Sequence, residues 1–460
     1  MAASNFKVIV VGGGPVGLIA AHALHHAGID FVVLEARDSV VLDQGASLIL
    51  TAPSIRVLHQ LGLWERLSEI GVEMNRSTSF TRDGSVFWDN TAVFHTFKAN
   101  FGMAPFIFHR AQLISVLYNE LPSDAKAHYH LNKKIMSMDV SKEKDSVEVT
   151  CTDGSTFQGS IVLGADGVHS KTRTLMRDLA LSQDTQPDWK EAVEPFSTEY
   201  RCLWSSFPLP AEVEQGYVTD AQSKDMSLMF LAGKERGWIL LFKRIVPSEA
   251  STATTKPEKA TRARWTESDM RTFAMQFAEF PVTETLKVKD VYEARLNEGM
   301  ADLEEGILKR WSWGRVVLAG DACHKFTPNA GRGLNNGIQD VVALCNGLHE
   351  MLNSKQGISP DEAALNKVFS EYQAIRSEPL KSDYKQSRFL SRMHAWRNMQ
   401  YYIVARYIIS CEWLVMLMLK FSASGLIKEA LVLNYILADE PFSALIKWKH
   451  PLVAKEDSHK

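Results

Sequence analysis

Three glycines and an acid near the start of the chain have the spacing of a ligand site. Gly12, Gly14 and Gly17 form G-x-G-x-x-G, and Glu35 follows about twenty residues on. In that pattern the first glycine makes a tight turn, the second admits a pyrophosphate and the third lets helix and strand pack closely. Glu35 is placed to accept hydrogen bonds from both hydroxyls of a ribose. The motif does not itself choose between a flavin and a nicotinamide dinucleotide. A second stretch, VVLAGDACHKFTPNAGRGLNNGIQD, fills residues 316–340. It offers Asp321 at the end of a buried strand, then Gly331 and Gly333, then an apolar helical pattern from Leu334. A helix N-terminus presents free amides and about half a positive charge to an electron-rich ligand. Gly331 and Gly333 keep Cβ atoms out of the path of a flat one. A tight strand-to-helix crossover that needs glycine only for packing is the plainer reading.

The elements that must position these residues are readable around them. Residues 6–11 and 31–34 form short apolar runs suited to central parallel strands, joined by a small-residue helix that ends at Gly28. Gly45 and Ala46 sit in a loop beyond Glu35 and suit close approach to a ligand. Residues 53–61 read as a helix with Thr51 as its cap. Residues 106–109 read as a strand, and Arg110 opens the next helix. A cation there opposes the macrodipole, which fits a binding task or a surface salt bridge. Residues 147–151 and 156–162 read as a hairpin whose second arm runs into Gly164 and Asp166. Asp166 ends a buried strand, as Asp321 does, and Ser170 is placed to cap the basic helix after it.

From 181 to 300 the pattern changes. Residues 200–207, 226–231 and 238–245 alternate as antiparallel strands, and 265–280 reads as a helix. Trp204, Phe207, Met229, Phe230, Trp238 and Phe242 form an aromatic and methionine stripe, which is core or the wall of a pocket. Residues 247–259 read as a polar surface loop. The fold expected is α/β. A Rossmann-type domain occupies 1–180 and returns in 301–355, an antiparallel-sheet domain is inserted at 181–300, and C-terminal helices occupy 356–460.

Composition excludes several classes. The chain has 460 residues, 45% apolar and 23% charged, with a formal charge of −3, so no nucleic-acid partner is expected. Five scattered cysteines without C-x-x-C argue against a disulfide framework or a zinc site and suit a reducing compartment. No secretory signal precedes the first strand, so a cytoplasmic protein is expected. No metal site is expected. His22 and His26 are spaced i, i+4, but exposed helix surface is the better reading.

Together the motifs resemble the single-component, FAD-dependent aromatic hydroxylase family, with the fold of p-hydroxybenzoate hydroxylase. Three matches carry this: the glycine fingerprint with Glu35, the D-G stretch GADGVHSKTR at 164–173, and GDACHKFTPNAGRGLNNGIQD at 320–340. Arg110 with Leu113 is similar to an arginine position that the family directs at FAD. The spelling of the third match looks most like fungal secondary-metabolite oxygenases, including epoxidases. The resemblance implies that Gly12, Gly14, Gly17 and Glu35 hold the ADP half of FAD. It places Arg110 at the ribityl or ribose region, Asp321 at the ribityl chain, and the amides of Gly331, Gly333 and Leu334 at the flavin pyrimidine edge. Asp166 is implied either in cofactor binding or in closing the domain. Cys323 and His324 are expected near the cofactor. Arg201 and Tyr200 are the candidate catalytic pair, since relatives hold a phenolate with such residues on this sheet; surface strand residues are the competing reading.

The implied reaction inserts one oxygen atom of O2 into a lipophilic secondary metabolite, by epoxidation or hydroxylation, with NADPH or NADH as a transient co-substrate. There is no second G-x-G-x-x-G for the nicotinamide, which suits this class. A flavin halogenase would need W-x-W-x-I-P, and RWSWGR at 310–315 is not that. An NAD-dependent dehydrogenase leaves 320–340 unexplained, and a non-catalytic dinucleotide-binding protein would not need all three matches. Residues 401–419 are nearly long enough to span a bilayer, which takes about 20 residues. Arg406 and Glu412 interrupt them, and residues 426–437 are too short. Helices packed on the core are one reading of 400–450; peripheral contact with a membrane is the other.

Overall fold

The computed structural model describes residues 6–43, 45–141, 145–183, 196–245, 265–354, 360–418 and 427–454. Residues 247–259, Leu419 and Leu426, named above, lie outside the described residues.

Strand Lys7–Val11 is buried along almost its whole length and pairs in parallel with Asp30–Leu34 on one side and Ile161–Gly164 on the other. Strands covered on both faces are apolar throughout, which is why these runs lack alternation. Val316–Leu318 and Ser312–Trp313 extend the sheet at one edge and Tyr129–His130 at the other. Helices Pro15–His26 and Arg332–Ser354 pack over it. The expected hairpin arm 156–162 is in fact two strands. Thr156–Gly159 pairs with Ser146–Cys151, while Ile161–Gly164 enters the parallel sheet. Ser160 makes the switch: its N–H donates to Lys7 O at 2.7 Å, and its Oγ accepts from Lys7 N–H at 3.1 Å.

An eight-stranded sheet stands beside the first. Its order is His324–Lys325, Asn297–Ile307, Ser197–Pro208, Arg236–Arg244, Met226–Ala232, Tyr217–Ser223, Arg76–Thr81 and Val86–Asn90. Both edges come from outside 181–300, so the two bodies interleave and do not divide at 180. Strand alternation splits the aromatic stripe between two cores. Phe207 and Phe230 pack with Phe273, Phe277 and Phe280 on one face. Trp204, Met229, Trp238 and Phe242 pack on the other with Ala46, Ile49 and Ile107. The helix expected over 265–280 is Glu267–Met275, opened by a capping box at Thr266 and Asp269.

Three local expectations are corrected. His22 is buried, not exposed, with Nε2 2.8 Å from Leu117 O, because its helix packs on Arg110–Asn119. Burial pushes its imidazole down to about 4, so it stays neutral. Thr51 stands at the N-cap of Ala52–Gln60, but its hydroxyl donates to Asn335 Oδ1 at 3.0 Å and caps nothing. Residues 427–437, the described part of the second apolar stretch, form no continuous helix. The described residues 427–454 form a mostly irregular strap bound to the core, its backbone served by Gln60, Gln339 and Asn346 in place of helical hydrogen bonds. Trp448 lies over the Arg56 guanidinium at 4.0 Å. Among the described residues no helix is long and apolar enough to cross a membrane.

Candidate active site

The C-terminal ends of the parallel strands and the N-termini of Pro15–His26 and Arg332–Ser354 meet the inner face of the eight-stranded sheet around a cavity of about 1100 Å³. Ligand crevices of open α/β sheets form at such strand ends. Gly12, Gly14, Glu35, Ala46, Arg110, Asp166, Asp321, Gly331, Gly333 and Leu334 all line it. Gly17 and Gly45 lie outside the lining but shape it.

The first glycine turn is built by sterics. Gly12 has φ +103°, and a Cβ there would come within 2.6 Å of Ala165 O. A Cβ at Gly17 would come within 1.9 Å of Gly12 O. At Gly14 a Cβ would meet nothing within 4 Å, so open cavity stands directly over the helix start. Gly13 was not singled out by spacing, yet a Cβ there would lie 1.9 Å from Tyr129 Oη, which donates to Gly13 O at 3.0 Å. Glu35 is already partly engaged. Its Oε2 accepts from Gly13 N at 2.8 Å, and its Oε1 accepts from Arg37 N and Nε at 2.9 and 3.0 Å. A carboxylate offers about four acceptor positions, so one acceptor position stays open on Oε2.

The second motif closes the other side. Gly331 adopts φ +60° before the long helix, and a Cβ at Gly333 would stand 3.6 Å from Asp321 Oδ1. The Asp321 carboxyl and the helix amides therefore face the same space. Burial raises the Asp321 carboxyl above its ordinary range; His324, Lys325 and Arg110 oppose this, and Asp340 adds to it. Arg110 is lowered by burial and by Arg37, against Asp321 and Glu35. A Cβ on Gly45, which has φ +98°, would sit 3.3 Å from Arg110 Nη1, so the loop and the arginine approach closely.

Other candidates are placed differently. Asp166 spends its carboxylate on its own turn: Oδ1 accepts from Ser170 Oγ at 2.5 Å, and Oδ2 accepts from Thr172 N and Oγ1 at 2.9 and 3.0 Å. Ser170 Oγ in turn caps Lys171–Gln183 through Arg173 N at 2.8 Å. Tyr200 and Arg201 cannot serve one site, because successive strand residues point to opposite faces. Arg201 pairs with Asp302 at 2.6 Å and lies 4.0 Å over the Trp265 ring. Tyr200 is buried, its hydroxyl is without a partner among the described residues, and it does not line the cavity. Cys323, His324 and Asp340 are the described group close enough together to share a cation. Asp340 is already taken by three N–H donors, one of them His324 Nε2, so two of the three ligand atoms are spent on each other.

Sequence reasoning missed Arg37, Lys133, Lys134 and Ile135 at the Glu35 side of the cavity. Lys133 and Lys134 lie in the link between the two-residue strand Tyr129–His130 and the strand that Ile135 opens, and Arg37 follows Glu35 in a loop, so none of them has a periodic signal. It also left open which stripe residues face the ligand. Met229, Leu231 and Leu240 supply the wall from the eight-stranded sheet, and Leu48, Ile49 and Phe326 adjoin it. None of the residues that sheet contributes is titratable.

A family model for an FAD binding domain matches residues 5–194 and 214–360. The FAD-dependent monooxygenase ausM of Penicillium brasilianum is 32% identical over 407 residues, covering 88% of this chain and 82% of the relative. The chain belongs to this family of FAD-dependent monooxygenases. The monooxygenase nvfK of Aspergillus novofumigatus is 30% identical over 438 residues, 95% of this chain and 89% of its own. Among solved structures, Klebsiella pneumoniae HpxO complexed with FAD and uric acid shares the fold at TM-score 0.69 and 20% identity, over 91% of this chain and 97% of that one. Pseudomonas aeruginosa PqsL does so at TM-score 0.65 and 20% identity, over 87% and 99%. The monooxygenase thus has the hydroxylase fold expected from its motifs. Its cavity fits FAD: open space stands over Gly14, where a Cβ would fill it, and Glu35 retains acceptor capacity.

Proposed function

We propose that this monooxygenase passes one oxygen atom of O2 to a neutral, lipophilic secondary metabolite, with NADPH or NADH as reductant. FAD supplies the electron transfer and oxygen activation. Gly12, Gly14, Gly17 and Glu35 would hold its ADP half, Arg110 and Asp321 its ribityl region, and Gly45 and Ala46 would pass close to it. The amides at Gly331, Gly333 and Leu334 would stabilise negative charge at the pyrimidine edge, as a helix N-terminus does. The apolar wall would orient substrate and exclude water.

The observation that carries this reading is one cavity joining both glycine motifs to the Met229, Leu231 and Leu240 wall. That wall offers no base to a phenol and no cation to a carboxylate. It therefore favours epoxidation of an alkene, with hydroxylation of an electron-rich ring second. Screening compounds for stimulated NADPH or NADH oxidation tests it. Neutral terpenoid-like alkenes should stimulate oxidation; stimulation confined to phenolates or aromatic acids would overturn the substrate reading.

We also propose peripheral membrane contact, through 399–417 only. Met399, Ile403 and Tyr407 recur at i, i+4 and are 68, 46 and 66% exposed; Trp413 is 69% exposed. Glu412–Met418 lies against Ala92–Phe101, whose Phe94 and Phe97 pack in the same core as the wall. The full-length protein should float with anionic liposomes, and a Tyr407→Asp, Trp413→Asp variant should not. Wild type that stays wholly unbound removes this part.

A further inference from the structure

Asp340 lies behind the cavity and is not one of its lining residues, yet it touches the turn that presents Asp321. Its side chain is fully buried and accepts three hydrogen bonds. Gly320 N donates to Oδ2 at 2.9 Å, His324 Nε2 donates to Oδ2 at 2.5 Å, and Arg376 Nε donates to Oδ1 at 2.9 Å. Gly320 has φ +61°, so the residue before Asp321 takes the left-handed shape that glycine adopts without a Cβ clash. A buried N–H left without an acceptor at this turn would be costly. Burial alone would raise the Asp340 carboxyl; His324 and Arg376 outweigh it and hold it down at about 2, so the acceptor stays ionised.

The same carboxylate is linked to the other cofactor-facing element. Arg376 Nη2 donates to Asn336 Oδ1 at 2.6 Å. Asn336 Nδ2 donates to Asp383 Oδ2 at 2.8 Å, and Asp383 lies 3.6 Å from Arg332, at the start of the long helix. Asp340 and Asn336 are four residues apart and share one helix face. A single network, buried at Asp340 and partly exposed at Arg332 and Asp383, thus ties the Gly320–Asp321 turn to the helix N-terminus.

We infer that Asp340, pinned by His324 and Arg376, is a positioning residue that sets the Asp321 carboxyl against the cofactor. The inference rests on the reading that Asp321 binds FAD. It assigns His324 a place in the support of that turn, not in redox or proton chemistry. It also explains why a histidine, an aspartate and an arginine are buried together with no path to substrate.

A double-mutant cycle tests it, read as FAD affinity of apo-protein by flavin fluorescence, with thermal unfolding of each apo-variant alongside. Asp340→Asn should weaken FAD binding about ten-fold in the wild-type background, within the range of coupling between contacting residues. In an Asp321→Ala background the same change should cost less than about two-fold, because its effect acts through Asp321. Equal weakening in both backgrounds, or none in either, overturns the inference. If Asp340→Asn fails to fold, His324→Gln carries the same cycle. Wild-type protein that binds no FAD, or Asp321→Ala that binds it normally, would remove the underlying reading, an outcome separate from additivity.

Discussion

Gly14→Val should give a folded protein that no longer binds FAD. The substitution is mild for the chain itself: φ is −73° and a Cβ meets no protein atom within 4 Å. Loss of a glycine at the N-cap costs at most about 1 kcal/mol. The isopropyl group would project into the open space before the helix start, where the pyrophosphate must approach the backbone amides. Affinity should fall about 100-fold or more, or about 3 kcal/mol. Flavin titration of the purified variant measures this, with apo-protein unfolding as the control. Gly17→Val is the contrasting case. There the Cβ would lie 1.9 Å from Gly12 O, so folding should fail along with binding. A Gly14→Val protein as yellow as wild type would show that the cofactor does not lie over this turn.

Arg56→Ala, in helix Ala52–Gln60, should produce the largest loss of stability among single changes at the contacts that hold the C-terminal strap. The Arg56 side chain is almost fully buried. Its Nε and Nη2 donate to Glu440 at 2.9 and 2.5 Å, Nη2 also donates to His450 O at 2.8 Å, and Trp448 covers the guanidinium at 4.0 Å. Removing one partner of a buried pair costs about 3–5 kcal/mol. Glu440 keeps 30% side-chain exposure, so the low end, about 3 kcal/mol, is expected. Urea unfolding gives the magnitude, and early proteolytic cleavage within 427–454 should accompany it. A change under about 0.5 kcal/mol, the level of an ordinary surface substitution, would mean that the strap contributes little to the fold.

What could be read from the sequence was local. The turn at Gly12, the helix behind it and the acid at Glu35 depend on neighbours a few residues away, so their spacing carries the geometry. The same holds for Asp321 and the glycines before the long helix. What could not be read depends on partners distant in sequence. Arg201 and Tyr200 looked equivalent because strand parity relative to the cavity is set by pairing with Asn297–Ile307 and Arg236–Arg244. Arms 156–159 and 161–164 look like one strand until Lys7 claims Ser160. The apolar C-terminal residues read equally as membrane surface or core, because Arg56 and Gln60, which bind them, lie at the other end of the chain. Asp340 carried no signal as a partner of Gly320, since a buried carboxylate is recognisable only by its donors.

The most direct test of the oxygenase reading is turnover under 18O2 with a compound that stimulates NADPH or NADH oxidation. The product should gain one 18O atom from O2, with none from labelled water. Product formed without label from O2 would contradict a monooxygenase reaction in this cavity.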